Sequence, residues 1–289
     1  MCSPAVMARV QEKLVQKHGP DRRQLLKAGA AALATIPFLA HQASARQATP
    51  VASPVTPMNL NIGSIVDLTH VLSTTFPVFA GSGQMEVEQL FSVAADGFYV
   101  NRLTLEEHTG THLDAPAHFI DGALTAELLP VENFFAPIIV VDISAKAASD
   151  DDSALTIDDL MAWEAEFGPM PTGAFVAMYS GWEVRLDNPS TYVNLDGEGV
   201  QHYPGFDPEA AAFLVEERDI VGIGVDTLSQ DPGISEDFAT HVTILGAEKY
   251  AVENVANLSM LPPVGATVIV GGPKHLEASG GPARLYGVF

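Results

Sequence analysis

Three imidazoles and a carboxylate fall within eleven residues in His108-Thr109-Gly110-Thr111-His112-Leu113-Asp114-Ala115-Pro116-Ala117-His118. Gly110, Thr111 and Pro116 argue against a helix, so an extended or looped path is expected. On a strand, His112 and Asp114 point the same way, because side chains repeat every two residues. Gly110 lets the backbone turn and bring His108 alongside, and Pro116 stiffens the turn before His118. Neutral imidazole and carboxylate are the ligands that Zn, Mn or Fe take. Two or three protein ligands leave a position open for water, whose pKa a divalent ion lowers from ~15.7 toward ~7. A spare histidine nearby can then move protons.

A second pair lies late in the chain. His241 and Glu253, twelve residues apart, sit among Val242, Ile244, Leu245, Val252 and Val255. Polar groups in such surroundings need partners, and a metal is a natural one.

The elements that must position these groups alternate between strand and helix, which favours an α/β fold. Ile65–Leu68 and Tyr99–Leu105 read as strands. Pro137–Asp142 and Phe175–Tyr179 are continuous apolar runs, the mark of strands buried on both faces. Thr156 and Asp159 predict a capped helix over Ile157–Phe167. Pro208 opens a helix to Glu217. Residues 185–205 read as loop, Ile220–Asp226 as a strand, 237–249 as partly helical, and Ala266–Val270 and Ala283–Phe289 as late strands.

Composition narrows the function. The chain has 289 residues, with 14 Lys and Arg against 36 Asp and Glu. A net charge of −22 with no basic cluster beyond residue 27 argues against nucleic acid and against docking on an anionic membrane. Cys2 is the only cysteine, so disulfides, cysteine zinc sites and a thiol nucleophile are excluded from the body of the chain. A serine hydrolase is disfavoured too, since Ser180 lacks the first glycine of a nucleophile elbow.

Arg22-Arg23, the uncharged Ala28–Ala40 run and Ala43-Ser44-Ala45 resemble a twin-arginine export signal over residues 1–45. Thirteen uncharged residues are too few to span a bilayer, which needs ~20. Export to the periplasm or the extracellular space is therefore expected, with no membrane span in the mature chain. Losing six basic and two acidic residues leaves that mature chain at −26. Residues 46–60 are a Pro/Ala/Ser/Thr-rich linker, and 61–289 read as a single domain.

The motif at 108–118 resembles the H-x-G-T-H-x-D-x-P-x-H signature of the cyclase-type metal hydrolases, whose members include bacterial kynurenine formamidases and isatin hydrolases. The resemblance extends through IVDLTH at 65–70, GIGVDTLSQDPG at 222–233, His241 and Glu253, and SGGPAR at 279–284. It implies that His108, His112 and Asp114 bind a first metal. Asp114 would bridge to a second metal held by His241 and Glu253, with His118 as general acid/base. The fold implied is a swivelling β/β/α arrangement with a central β-barrel-like core and helices outside, assembled as a homodimer or larger.

One or two Zn or Mn ions per chain suit this ligand set. The expected reaction is attack of metal-bound hydroxide on the carbonyl of a small-molecule amide or lactam, with His118 passing a proton to the leaving atom. Asp226 and Gln230 follow a strand, as residues behind a metal site do. Asp226 is placed either to orient a ligating imidazole or simply to make a turn.

For the substrate, Phe79 stands in Phe76-Pro77-Val78-Phe79-Ala80-Gly81, where formamidases usually carry a Trp before Pro-Gly. Trp182, at the end of a buried strand, is a second candidate contact. Two rival readings are an exported, non-catalytic metal- or ligand-binding protein on the same scaffold and a non-haem Fe(II) oxygenase built on His112, Asp114 and His241. The oxygenase leaves His108 and His118 without a role. It also has Ala251, not a cation, about ten residues past its distal histidine.

Overall fold

The computed structural model describes residues 62–289. The export segment and the linker at 46–60 lie outside the described residues. β1 (Ile65–Asp67) is followed by a ribbon of β2 (Glu86–Phe91) and β3 (Val100–Thr104) around the single turn α1 (Val93–Asp96). Next come β4 (His112–Asp114), β5 (Phe135–Asp142), α2 (Ser144–Ala147), β6 (Ala154–Leu155), α3 (Ile157–Phe167) and β7 (Phe175–Tyr179). The chain continues through α4 (Pro189–Val193), β8 (Gly205–Phe206), α5 (Pro208–Glu217), β9 (Gly222–Val225) and α6 (Ala239–Gly246). It ends with β10 (Tyr250–Glu253), β11 (Ala266–Gly271), β12 (Gly280–Pro282) and β13 (Arg284–Val288).

Nine strands form one mixed sheet in the order β1-β13-β11-β5-β7-β9-β10-β4-β12. The middle, β5-β7-β9-β10, is parallel, and both flanks are antiparallel. The sheet curls into a half-barrel. The chain leaves β12 at one end, donates the Ala283 amide to the Thr111 carbonyl at 3.0 Å, and continues as β13 near the other end. This is the α/β, barrel-like architecture that the alternating pattern and the resemblance imply.

The continuous apolar runs divide their side chains between two cores. Ile138, Val140, Phe175 and Ala177 pack inside the curl with Leu113, Val252, Leu285 and Leu68. Their neighbours Ile139, Val141, Val176 and Met178 pack on the other face, beneath Leu160, Trp163, Leu214, Ile244 and Leu245 of the helices. That two-sided burial explains why these strands lack polar alternation. At α3 the capping box forms as the sequence predicts: the Asp159 amide donates to Thr156 Oγ1, and Asp159 Oδ2 accepts the Thr156 amide. The Trp163 indole then donates to the Val140 carbonyl at 3.0 Å, tying α3 to β5.

The structure adds several elements to the expected ones, among them β10 and β12, the strands on either side of β4. Strand β2 pairs with β3 outside the main sheet, although its sequence EVEQLF carries too few apolar residues to stand out. The stretch expected as loop contains α4, started by Asn188, whose side chain accepts from the Ser190 amide, and by Pro189 in the first turn. Among the described residues no helix is long and apolar enough to cross a membrane.

Candidate metal centre and active site

β4 is a three-residue strand held on both sides, by β10 and by β12. Its alternation sends Leu113 into the core inside the curl and turns His112 and Asp114 to the opposite face. Glu253 of β10 is the register partner of His112, so all three side chains emerge together. Opposite Asp114 is Gly280. A Cβ there would lie 2.3 Å from the Leu113 carbonyl oxygen and 2.7 Å from His108 Cε1. The glycine therefore gives His108 the space to fold over Asp114.

His241 arrives from α6, which packs Ile244 and Leu245 into the outer core. Asp231 fixes its place. One carboxylate oxygen accepts the Thr240 amide at 2.8 Å, and the other accepts the His241 amide at 3.1 Å and His241 Nδ1 at 2.5 Å. The free Nε2 then points at the strands. It lies 3.5 Å from Asp114 Oδ2 and 3.3 Å from Glu253 Oε1. His112 Nε2 lies 3.3 Å from Asp114 Oδ1 and 3.4 Å from Glu253 Oε2.

Two imidazoles and two carboxylates, all buried, thus face a common point. His112 Nε2 has no hydrogen-bond partner there among the described residues. A buried nitrogen without a hydrogen-bond partner is costly unless another group engages it. The donor set suits a divalent cation of the Zn or Mn type. A second grouping, His108, Asp114 and His118, shares Asp114 with the first. The residues present therefore fit one ion among His112, Asp114, His241 and Glu253, with Asp114 placed to serve a second.

Electrostatics agree with that fit. Burial opposes charge on His112, yet the Asp114 and Glu253 carboxylates overcome it and push the imidazole up to about 10. His241 is likewise raised well above its ordinary value, against burial, by hydrogen bonds to Asp114, Asp231 and Glu253. Burial would raise Asp114, but His112 and its hydrogen-bonding neighbours hold it well below the usual carboxylate range. Glu253 is held low as well, the neighbouring His112 and His241 imidazoles outweighing burial and the Asp114 charge.

His108 uses both nitrogens: Nδ1 is 2.6 Å from Asp114 Oδ1, and Nε2 is 3.0 Å from Ser279 Oγ. Its ring stacks on His118, with centroids 3.7 Å apart and planes 21° apart. His118 sits on the tight turn Pro116–His118, and burial pushes its imidazole down to about 4. It is neutral at pH 7 and able to accept a proton.

His108, His112, His118, His241 and Glu253 form one wall of a cavity of about 340 Å³, and Asp114 is fully buried among them. The rest of the lining is apolar at Pro77, Phe79, Phe119, Leu228 and Phe238 and polar at Ser82, Glu106, Ser229 and Asn254. Phe119 also stacks on His241, with centroids 4.5 Å apart.

The structure changes one expected grouping, moves one residue out of the site and decides one open role. His112 groups with Asp114 and Glu253, and not, as expected, with His108. Trp182 does not line the cavity. It is buried with Tyr192, Tyr203 and Leu228, its indole donates to the Tyr192 carbonyl at 2.9 Å, and the Arg185 guanidinium covers its ring at 3.6 Å. It backs the wall that Leu228 and Phe79 present. Asp226 does not orient an imidazole. Its carboxylate accepts from the Ser180 amide, the Ser180 hydroxyl and the Trp182 amide, and so fixes the turn after β7.

Asp231, five residues later, makes the contact to an imidazole. A carboxylate closing a strand-to-helix connection at Asp231-Pro232-Gly233 was the available signal. Gln230 touches both buried carboxylates, donating its amide to Glu253 Oε1 at 3.0 Å and Nε2 to Asp114 Oδ2 at 3.4 Å. Ser279, joined to Glu107 and His108, was also unread as part of the site. Phe119 and Phe238 lacked any sequence signal.

The family described as "Putative cyclase" matches residues 66–232, more than half of the chain. This chain belongs to the cyclase family. Within the family it is similar to the isatin hydrolase of Roseibium aggregatum, at 33% identity over 237 residues covering 76% of this chain and 89% of that one. A solved isatin hydrolase bound to the product analogue thioisatinate superposes with a TM-score of 0.75 at 30% identity, covering 78% of this chain and 92% of that one. The kynurenine formamidase of Bordetella petrii is more distant, at 26% identity over 190 residues covering 65% of this chain and 81% of that one. The cyclase-family match spans the eleven-residue motif, Asp226, Gln230 and Asp231, and stops short of His241 and Glu253.

Proposed function

We propose that this cyclase-family protein is a metal-dependent hydrolase that opens a C–N amide or lactam bond in a small cyclic or N-acyl aromatic substrate. The observation that carries the reading is the convergence of four buried ligand groups at the wall of a cavity that also holds a neutral histidine. His112, Asp114, His241 and Glu253 would hold one Zn or Mn ion, and His108 with Asp114 would serve a second. Such an ion supplies Lewis acidity and an acidified water at this wall.

The chain's own residues do the rest. Phe79, Phe119 and Phe238 bind the flat apolar part of the substrate and exclude bulk water. His118, neutral at pH 7, takes up a proton on a ring nitrogen and delivers it to the leaving nitrogen. His108 stacks against it and holds the ring in place. The isatin hydrolase likeness favours a lactam, and the formamidase likeness favours an N-formyl aryl amide. Export through the twin-arginine route and assembly as a homodimer are part of the same proposal.

Two variants test the assignment. Asp114→Ala is expected to lose metal and turnover together. His118→Ala is expected to keep its metal and lose about 10²–10⁴-fold in rate. Full activity in either variant, measured on isatin and N-formylkynurenine, contradicts the assignment.

A further inference from the structure

We propose that Asn254 is the positioning residue that fixes the tautomer and the placement of His112. The inference rests on reading His112 as a metal ligand. Asn254 directly follows Glu253, is 2% exposed, and has a φ of 54°, in the left-handed region that Asn tolerates better than most side chains. Each of its polar groups is engaged. Its amide donates to the Thr227 carbonyl at 2.9 Å, and its carbonyl accepts the Thr111 hydroxyl at 2.6 Å. Its side-chain Nδ2 donates to the Gly110 carbonyl at 3.0 Å, and its Oδ1 lies 2.9 Å from the Tyr192 hydroxyl.

The Gly110 carbonyl is the link to the metal ligand. The same oxygen lies 2.8 Å from His112 Nδ1. A carbonyl oxygen only accepts, so Nδ1 keeps its proton and Nε2, on the side of Asp114 and Glu253, is the nitrogen left to bind an ion. Asn254 Nδ2 and His112 Nδ1 together fill both acceptor positions of that oxygen. Gly110 itself has a φ of 71°, and a Cβ there would meet Leu72 Cδ1 at 2.9 Å. The carbonyl is thus presented by a turn that glycine allows and is held by an amide that Asn254 supplies.

The clamp is reciprocal. Thr111 binds the Asn254 backbone while the Asn254 side chain binds Gly110. Two hydrogen bonds therefore join the loop before β4 to the end of β10, the strands that carry His112 and Glu253. The Gly110 carbonyl decides which way the amide faces: it only accepts, so Nδ2 must face it. Oδ1 is then turned to the Tyr192 hydroxyl, which also reaches the Asp226 carbonyl at 2.9 Å.

The test is the Zn²⁺ affinity of the purified protein, measured without substrate by competition with a chromophoric chelator at fixed pH. Asn254→Gly keeps the left-handed backbone and deletes the amide, and about 10- to 100-fold weaker Zn²⁺ binding is expected. Tyr192→Phe keeps the ring and removes the hydroxyl that steadies Oδ1, loosening the amide against Gly110, so a smaller loss of about threefold or more is expected. It carries the test if Asn254→Gly does not fold. Trp182→Phe disturbs the same buried cluster without touching Gly110, and affinity within about twofold of the parent is expected. A purely structural role for Asn254 would lower the melting temperature of all three variants and leave Zn²⁺ affinity unchanged, which overturns the inference. A parent protein that binds no Zn²⁺ overturns the ligand reading and this inference with it. A parent that binds tightly alongside an equally tight Asn254→Gly overturns the inference alone.

Discussion

Loading the metal centre should expel two protons near pH 7. In the metal-free protein, two carboxylates held low face two imidazoles held high, so the buried group is neutral as two Asp/Glu anions against two imidazolium cations. A divalent cation against the same carboxylates is neutral too, provided both imidazoles give up a proton. With His112 pushed up to about 10, removing its proton at pH 7 costs about 4 kcal/mol. His241 adds a cost of the same sign.

The direction follows from the raised values. The protons stay on until the pH passes the folded-state value, so apparent affinity climbs throughout the range from pH 6 to 8. Each proton contributes about tenfold per pH unit, and two contribute about 100-fold. Titrating Zn²⁺ into the metal-free protein by calorimetry, in buffers of different ionisation enthalpy, counts the protons directly. An affinity that is flat with pH, or release of less than one proton per ion, would refute the charge arrangement described for His112 and His241.

Other outcomes follow from the same geometry. Asp231→Asn replaces one acceptor oxygen with a donor facing either the Thr240 amide or the His241 amide and ring, so Zn²⁺ affinity should fall about 10- to 100-fold and the melting temperature should drop, by chelator competition and thermal unfolding. Gly280→Ala places a methyl against the Leu113 carbonyl and the His108 ring, and should cost about 1–3 kcal/mol in denaturant unfolding. Without metal, His112 stabilises the fold fully below its unfolded value of 6.5 and loses that contribution as pH rises toward about 10, so Zn²⁺ should raise the melting temperature more at pH 8 than at pH 6.

The ligands near the middle of the chain were legible because local geometry alone sets them. His112 and Asp114 share a face of one strand, and period-two alternation predicts this without knowledge of any partner. His241 and Glu253 were legible as polar residues stranded among apolar ones. The contacts that tune them were not. Ser279 reaches His108 across 171 positions, a meeting made only by the curl that lays β12 against β4. Asp226 and Asp231 both follow β9, and only the path of the loop decides which carboxylate meets an imidazole. Trp182 follows a Gly with a φ of 74°, and that turn carries the indole into the core instead of the cavity. The two aromatic walls, Phe119 and Phe238, come from separate turns whose meeting depends on α6 docking beside the Pro116–His118 turn.

In the proposed function this fold holds a divalent ion and uses it to hydrolyse a C–N bond. The most direct test is elemental analysis of the purified protein, followed by hydrolysis of isatin and N-formylkynurenine before chelation, after chelation and after metal is restored. One to two equivalents of Zn or Mn, with turnover that disappears on chelation and returns with the ion, is the predicted result. No bound metal, and no turnover after metal is added back, would contradict the account and leave His108 to His118 as scaffold.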